Sequence, residues 1–413
     1  MACPTRDELA RLDAEDPLAV IRARFSLPAG VIYLDGNSLG ALPAAAAAHV
    51  AEVVEAQWGK DLIRSWNMHG WIDAPRRLGS RIAPLIGAKA GEVVAADSTT
   101  VNLFKLAAGA LALRPGRTTV IAEAGNFPTD LYVLQGLEAL APERARLKTL
   151  SRGALLEAID EDVALVALTH VHYKSGERWP LAEVTARVHE AGGLMLWDLS
   201  HSAGAVEIDL AAADADLAVG CGYKYLNGGP GAPSFVYVAE RLHEALRSPI
   251  WGWMGHAAAF DFGDPYVPAP GVARQLAGTP AILGLAALEA GLDTFQGVDM
   301  RKVEAKSARM GDLLIQLVEA RCGRFGLVLA SPRDAATRGS HVSFTHPEGY
   351  AIMQALIARG VIGDFRAPDI LRFGLTPLYL RYVDLWDAVE HLEDVLQQGE
   401  HAQERFRRRL KVT

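Results

Sequence analysis

Two residues at the ends of apolar runs carry the chemistry in this chain. Asp198 closes the run 193–197, and Lys224 follows the run 216–221 and enters the turn Leu226-Asn227-Gly228-Gly229-Pro230-Gly231. A carboxylate and an amine at the C-terminal ends of neighbouring parallel strands lie where open α/β sheets place their ligands. Lysine forms Schiff bases with carbonyl cofactors and becomes nucleophilic when its pKa is lowered. A carboxylate that keeps a pyridine nitrogen protonated lets the ring accept electrons, so the pair suits pyridoxal phosphate chemistry. Singly, Asp198 also reads as a strand-end cap and Lys224 as a surface lysine. Their conjunction favours the cofactor.

Other residues could complete such a site. Ser98-Thr99-Thr100 opens a helix after a strand. Backbone N–H groups and hydroxyls there would hold a phosphate dianion with help from the helix dipole, or the triplet is an ordinary N-cap. The glycines at 228–231 lack the Walker spacing, and the lysine precedes them. No G-x-G-x-x-G follows a first strand, so a dinucleotide fold has little support. His201 is either a satisfied turn histidine or a ring beside the cofactor. Trp253, between Gly252 and Gly255, is either a core aromatic or an indole that a loop brings to a ligand. Arg372 lies in the apolar strand 371–373; facing inward it needs an anionic partner, which a substrate carboxylate held bidentately would supply.

These groups need a scaffold. From residue 92 to about 280 the pattern alternates strand and helix, with strands at 93–95, 118–123, 163–169, 194–197, 217–221 and 234–238 and helices at 101–113 and 181–191. Continuous apolar runs such as 163–169 are expected of strands buried on both faces. The alternation predicts an α/β fold with a mostly parallel sheet covered by helices. Upstream, residues 7–24, 41–58 and 76–86 read as helices, with a short strand at 31–34. Downstream, 302–321, 349–359 and 383–397 read as helices, with strands at 326–329, 341–345 and 371–373. We expect a large domain at 45–290 and a smaller α/β domain from 1–44 and 291–413. The basic tail 405–411 reads as a solvated helix end.

Composition narrows the function classes. The 413 residues are half hydrophobic and 22% charged, with a net charge of −8, which argues against nucleic acid as the main ligand. The three cysteines, Cys3, Cys221 and Cys322, have no metal-ligand spacing and suit a reducing cytosol. The N-terminus has no signal-peptide core, and no apolar segment is long enough for a membrane span. A cytoplasmic protein with no membrane or metal association is expected.

The motifs, taken together, resemble the kynureninase family. They are Tyr-Leu-Asp-Gly-Asn-Ser-Leu-Gly (33–40), Ser65-Trp66-Asn67 with Gly70-Trp71, Asn-Phe-Pro-Thr-Asp (126–130), Trp-Asp-Leu-Ser-His-Ser-Ala-Gly (197–204), Gly-Tyr-Lys-Tyr-Leu-Asn-Gly-Gly-Pro-Gly (222–231) and Gly-Trp-Met-Gly-His (252–256). With Arg372 they span residues 33–377. Related enzymes that remove sulfur from cysteine usually carry His where Tyr223 stands, and many have a catalytic cysteine in a C-terminal loop. Ser200 stands where Ala is common, and Ala124-Gly125 where bulkier polar residues are usual.

The resemblance implies the fold type I pyridoxal phosphate architecture and a homodimer with shared active sites. It implies hydrolysis of L-kynurenine, and of its 3-hydroxy form, to anthranilate (or its hydroxylated counterpart) and L-alanine in tryptophan catabolism. Residue by residue, it makes Lys224 the Schiff-base lysine and Asp198 the pyridinium partner. Thr99, Thr100 and Tyr223 fall where the phosphate is held. Phe127 matches the residue stacked on the ring, with Asp130 and Thr169 in the same pocket. His201, Trp253 and Thr279 match further cofactor contacts, and Arg372 the substrate-carboxylate arginine. Tyr223 is either an acid and base for the later steps or a phosphate anchor only. Competing readings are a cysteine desulfurase, an aminotransferase, or a noncatalytic pyridoxal-binding regulator. The last would need a DNA-binding module, for which the 30 residues before Tyr33 are too few.

Overall fold

The computed structural model describes residues 3–410. Its N-terminal strand β1 (Ile32–Tyr33) belongs to a sheet completed far downstream. The large sheet holds seven strands: β2 (Val93–Ala96), β3 (Thr119–Glu123), β4 (Arg146–Leu150), β5 (Val163–Thr169), β6 (Leu194–Asp198), β7 (Leu217–Cys221) and β8 (Ser234–Val238). Their order is β2-β8-β7-β6-β5-β3-β4. Only β8 runs against the rest, pairing antiparallel with both β2 and β7. The mostly parallel α/β sheet expected from the sequence is therefore present.

Its central strands are long apolar runs because both faces are covered. Every residue of β5, β6, β7 and β8 is buried. On one face Met195 and Trp197 pack with Leu78 and Ile82 of the helix Ala74–Ile82. On the other, Leu194 and Leu196 share a core with Leu103 and Leu106 of Thr99–Ala112 and Leu134 and Leu137 of Pro128–Leu140. The buried Trp197 indole N–H is satisfied by Thr185 Oγ1 at 3.1 Å.

A second sheet follows, of β9 (Val328–Leu329), β10 (His341–Thr345), β12 (Asp364–Arg366) and β13 (Ile370–Gly374), antiparallel in the order β12-β13-β10-β9. Between them, β11 (Val361–Ile362) pairs in parallel with β1, Ile32 opposite Val361. The helices Met300–Cys322 and Tyr382–Gln397 cover this region.

Three helical expectations change in detail. Residues 7–24 split into the helix Arg6–Ala14, started by a Thr5–Glu8 capping box, and a 3₁₀ turn Ala19–Arg24; Pro17, which lacks an N–H, lies between them. The helix expected at 41–58 is α-helical only over Ala46–Glu52, then π-helical over Val53–Asp61, and ends at Leu62 with φ 54°. Of the basic tail, Glu404–Arg407 is one helical turn, and Lys411 lies outside the described residues.

Candidate active site

The site starts at the C-terminal end of β6. Asp198 is 5% exposed, and its Oδ1 accepts the Ser200 N–H at 2.7 Å, which fixes the turn that carries His201. One strand over, β7 runs into the Lys224 turn. That turn is closed by Gly228 N–H donating to Gly222 O at 2.9 Å. A Cβ on Gly222 would sit 2.4 Å from the Pro233 carbonyl, so the close approach requires glycine. The 33–40 motif packs against the same turn: Gly40 N–H donates to Tyr223 O at 2.8 Å.

The Lys224 Nζ lies 3.0 Å from His201 Nε2 and 5.8 Å from the ring centres of Phe127 and Tyr223. Burial, followed by the charge of Lys224, pushes His201 well below the usual histidine range, which favours a neutral ring with Nε2 in hydrogen-bond reach of the amine. His201 Nδ1 is buried without a protein partner, and its ring is 5.6 Å from that of His341, whose two ring nitrogens are likewise buried and unpartnered.

Beside Asp198 lies a second carboxyl. Asp130 Oδ2 receives Thr169 Oγ1 at 3.0 Å and Asn126 Nδ2 at 3.1 Å. Burial and the neighbouring Asp198 charge raise its pKa well above the carboxylate range, which favours the protonated form as a donor toward Asp198. Phe127 is anchored by its N–H to Asn126 Oδ1 at 2.7 Å and meets Tyr173 edge-on at 5.2 Å, while 41% of the residue stays exposed. Burial, then Cys221 and Asp198, raises the Tyr223 phenol above its ordinary value, so it is a protonated donor.

Thr99 and Thr100 open the 14-residue helix Thr99–Ala112, whose cap is Ser98, with Oγ accepting the Val101 N–H at 3.4 Å. This helix start is locked from inside. Lys105, fully buried on the same helix, donates to Asp97 Oδ2 and to Gln275 O, both at 2.7 Å. Asp97 is held at φ 45° just before the cap.

The structure thus gathers Lys224, Asp198, Tyr223, His201, Asp130, Thr169 and Phe127 into one cluster. Trp253 is found with Trp66 at 6.5 Å and Phe260 at 5.6 Å. Thr279 is exposed and lines a cavity of about 160 Å³ with Asp97 and Gly231.

Arg372 does face inward, but its anion is internal. Nε and Nη2 clasp Asp364 bidentately (Nε–Oδ1 2.8 Å), Nη1 donates to Tyr173 O at 2.5 Å, and Nη2 also reaches Ser38 Oγ at 2.9 Å. The partner expected from a substrate is therefore supplied here by Asp364. Sequence reading missed Asp364, Ser38, Tyr173, His341 and Lys105. Only Ser38 carried a signal, as part of the unexplained 33–40 motif.

These groups fit pyridoxal phosphate. Phe127 offers an open aromatic face near the Lys224 amine, Asp198 a buried acceptor for a ring N–H, and the helix start N–H and hydroxyl donors for a phosphate. Cys322 suits no persulfide role: it is buried at a helix end, and burial pushes its thiol up to about 12.

Comparison with known proteins agrees. Residues 303–392 match the family described as the kynureninase C-terminal domain. The kynureninase of Burkholderia pseudomallei strain 1106a is 52% identical over 99% of this chain and 100% of its own. Among solved structures, the cysteine desulfurase of Thermococcus onnurineus NA1 superposes with a TM-score of 0.76 at 19% identity, covering 92% of this chain and 98% of that one. A C-DES variant with glycine covalently linked to its pyridoxal phosphate gives 0.75 at 18% identity, covering 95% and 99%. At such identities these two share the fold alone, which is fold type I.

Proposed function

Because the chain belongs to the kynureninase family of pyridoxal phosphate-dependent carbon–carbon hydrolases, we propose that it cleaves the Cβ–Cγ bond of L-kynurenine, giving anthranilate and L-alanine in cytoplasmic tryptophan catabolism. The observation that carries the residue assignment is the Lys224–His201 contact beside Asp198 at adjacent strand ends.

Lys224 would anchor the cofactor covalently, and its amine, when free, would move the proton at the substrate's Cα. Asp198 would hold the pyridine N–H, with Asp130 beside it. Thr99, Thr100 and Tyr223 would hold the phosphate and Phe127 would cover the ring face, while Thr169 contacts Asp130. Pyridoxal phosphate, when bound, supplies an electron sink for charge at Cα and Cβ. The His201 ring, 3.0 Å from Lys224 Nζ, would keep that amine aimed into the site. Tyr223 delivers the proton at Cβ and assists water addition at the γ-carbonyl; its raised pKa keeps the proton in place until a base draws it. Arg372 sits on the carboxylate side, with four of its five N–H donors already engaged.

We further propose that the chain works as a homodimer. Trp66, Trp253, Phe260 and Phe262 form a row of ring contacts, and Trp58, Ile63 and Met68, near Trp66 in sequence, are exposed. Apolar patches of this kind mark interfaces. Sharing sites across the dimer gives Trp253 and Thr279, outside the Lys224 cluster, a place in catalysis. No helix among the described residues is long and apolar enough to cross a membrane.

Adding L-kynurenine to the purified holoprotein should change its visible absorption and release fluorescent anthranilate with an equal amount of alanine. Failure to form anthranilate refutes the substrate. Sedimentation of a monomer at micromolar concentration refutes the dimer.

A further inference from the structure

Arg372 is closed to solvent: its side chain is 1% exposed, and four donors are engaged within the protein. A second guanidinium stands beside it and is not closed. Arg366, on β12, is 31% exposed. Its Nη2 lies 2.7 Å from Asp364 Oδ2 and 3.4 Å from Ser38 Oγ, and Nη1 is 3.3 Å from Phe365 O. Its Nε is shielded from water yet has no partner.

Arg366 is tied to the amine site through Arg372: the two guanidinium groups share Asp364 and Ser38, Arg372 donates to the Tyr173 carbonyl, and the Tyr173 ring meets Phe127, whose ring centre lies 5.8 Å from the Lys224 amine. The charge count also leaves room for one anion. Arg366 and Arg372 are opposed by Asp364 and Asp35. Burial and the Asp364 charge push Asp35 up to about 7, and its Oδ1 is buried without a partner. With Asp35 protonated, the cluster carries one net positive charge, which one carboxylate would neutralise.

We propose that Arg366 is a substrate-binding residue that meets the α-carboxylate of the amino-acid substrate through its open guanidinium edge, in front of Arg372. Asp364 and Ser38 are positioning residues that hold the two guanidinium groups side by side. This assignment rests on the kynureninase reading above and adds a contact to it.

The test compares L-kynurenine with kynuramine, its counterpart lacking the carboxylate, on holoenzyme carrying Arg366→Ala or Arg366→Lys. Losing a charge-assisted contact of this kind corresponds to about 10- to 100-fold in affinity. KM for L-kynurenine should rise by that factor in Arg366→Ala with kcat nearly unchanged, and Arg366→Lys should recover part of it. Kynuramine affinity, read from the cofactor's absorption, should be unaltered. Equal losses for both ligands, or an unchanged KM, would overturn the assignment. Should the wild type form no anthranilate, the substrate reading fails separately. L-Alanine binding, read by the same absorption, then decides on Arg366: a loss of tenfold or more supports the contact, and no loss refutes it.

Discussion

Replacing Asp130 by Asn and by Ala separates two functions of one carboxyl. Asn126 Nδ2 donates to its Oδ2, which Thr169 Oγ1 also faces at 3.0 Å while lying 2.7 Å from Asn126 Oδ1. Burial and the Asp198 charge keep the group protonated, so its own proton is directed at Asp198. A hydrogen bond to an ionised group contributes about 1.5–3 kcal/mol. Without it, the Asp198 carboxylate competes more strongly for the proton on the cofactor's ring nitrogen. Asp130→Ala should therefore slow exchange of the Cα hydrogen about 10- to 100-fold. Asp130→Asn, which keeps a neutral donor and an acceptor oxygen, should stay within about threefold of wild type. Asp198→Ala, which removes the charge itself, should lose about 10²–10³-fold or more. The assay is loss of the L-alanine Cα signal by NMR in D2O, on protein saturated with cofactor. Equal slowing in the Asn and Ala variants would show that Asp130 works as an anion and refute the protonated-donor account.

Lys224→Ala should fold yet lose steady turnover, and borohydride treatment of the wild type should fix the cofactor's mass on the Lys224 peptide; label on another lysine would sink the assignment. Lys105→Met leaves the Gln275 carbonyl and Asp97 without their cation, a cost of about 1–3 kcal/mol, and should weaken cofactor retention about tenfold by equilibrium dialysis; unchanged retention would detach Lys105 from the phosphate helix. The value of kcat/KM should be higher for L-kynurenine than for 3-hydroxykynurenine, and Arg372→Ala, which frees Asp364 and Ser38 from the guanidinium that holds them beside Arg366, should damage both equally, because the carboxylate is common to them. KM should rise as pH passes about 7: Asp35, faced by Asp364, Arg366, Arg372, Tyr33 and Ser38, is neutral below that value and ionised above it, where it cancels the charge that attracts the carboxylate. A KM that rises equally in Asp35→Asn would assign the effect to another group.

Much of the large sheet was legible because burial on both faces writes a strand as an unbroken apolar run. Strands 163–169, 217–221 and 234–238 have the bounds read from sequence. β4 was missed for the opposite reason: as an edge strand it mixes polar residues, Arg146, Lys148 and Thr149, with leucines, and its side chains reach solvent. The reversal of β8 left no trace, since a buried strand looks alike in either direction. At the site, Lys224, Asp198 and their turns were legible because close backbone approach demands glycine and ligand chemistry demands those side chains. Asp364 was not: its pairing with Arg372 depends on the β12–β13 register, and no local pattern records that. Nor was Lys105, whose burial within a helix is decided by Asp97 and Gln275, 8 and 170 residues away.

The pairing of β1 with β11 has a consequence during synthesis. Residues 33–40 leave the ribosome early, yet the strand they lead from is completed only by Val361 and Ile362, and Ser38 meets Arg372 later still. The last strand of the large sheet ends at Val238, and β13 ends at Gly374, 136 residues on. At roughly 5–20 residues per second, that interval lasts roughly 7–27 s. During it the emerging chain already carries Lys224, Asp198 and the Thr99 helix, but has no guanidinium side to its site. The residues of the cofactor half are thus made before those of the guanidinium side. The early segment must wait for a late one, so the finished site also certifies that most of the chain has been made.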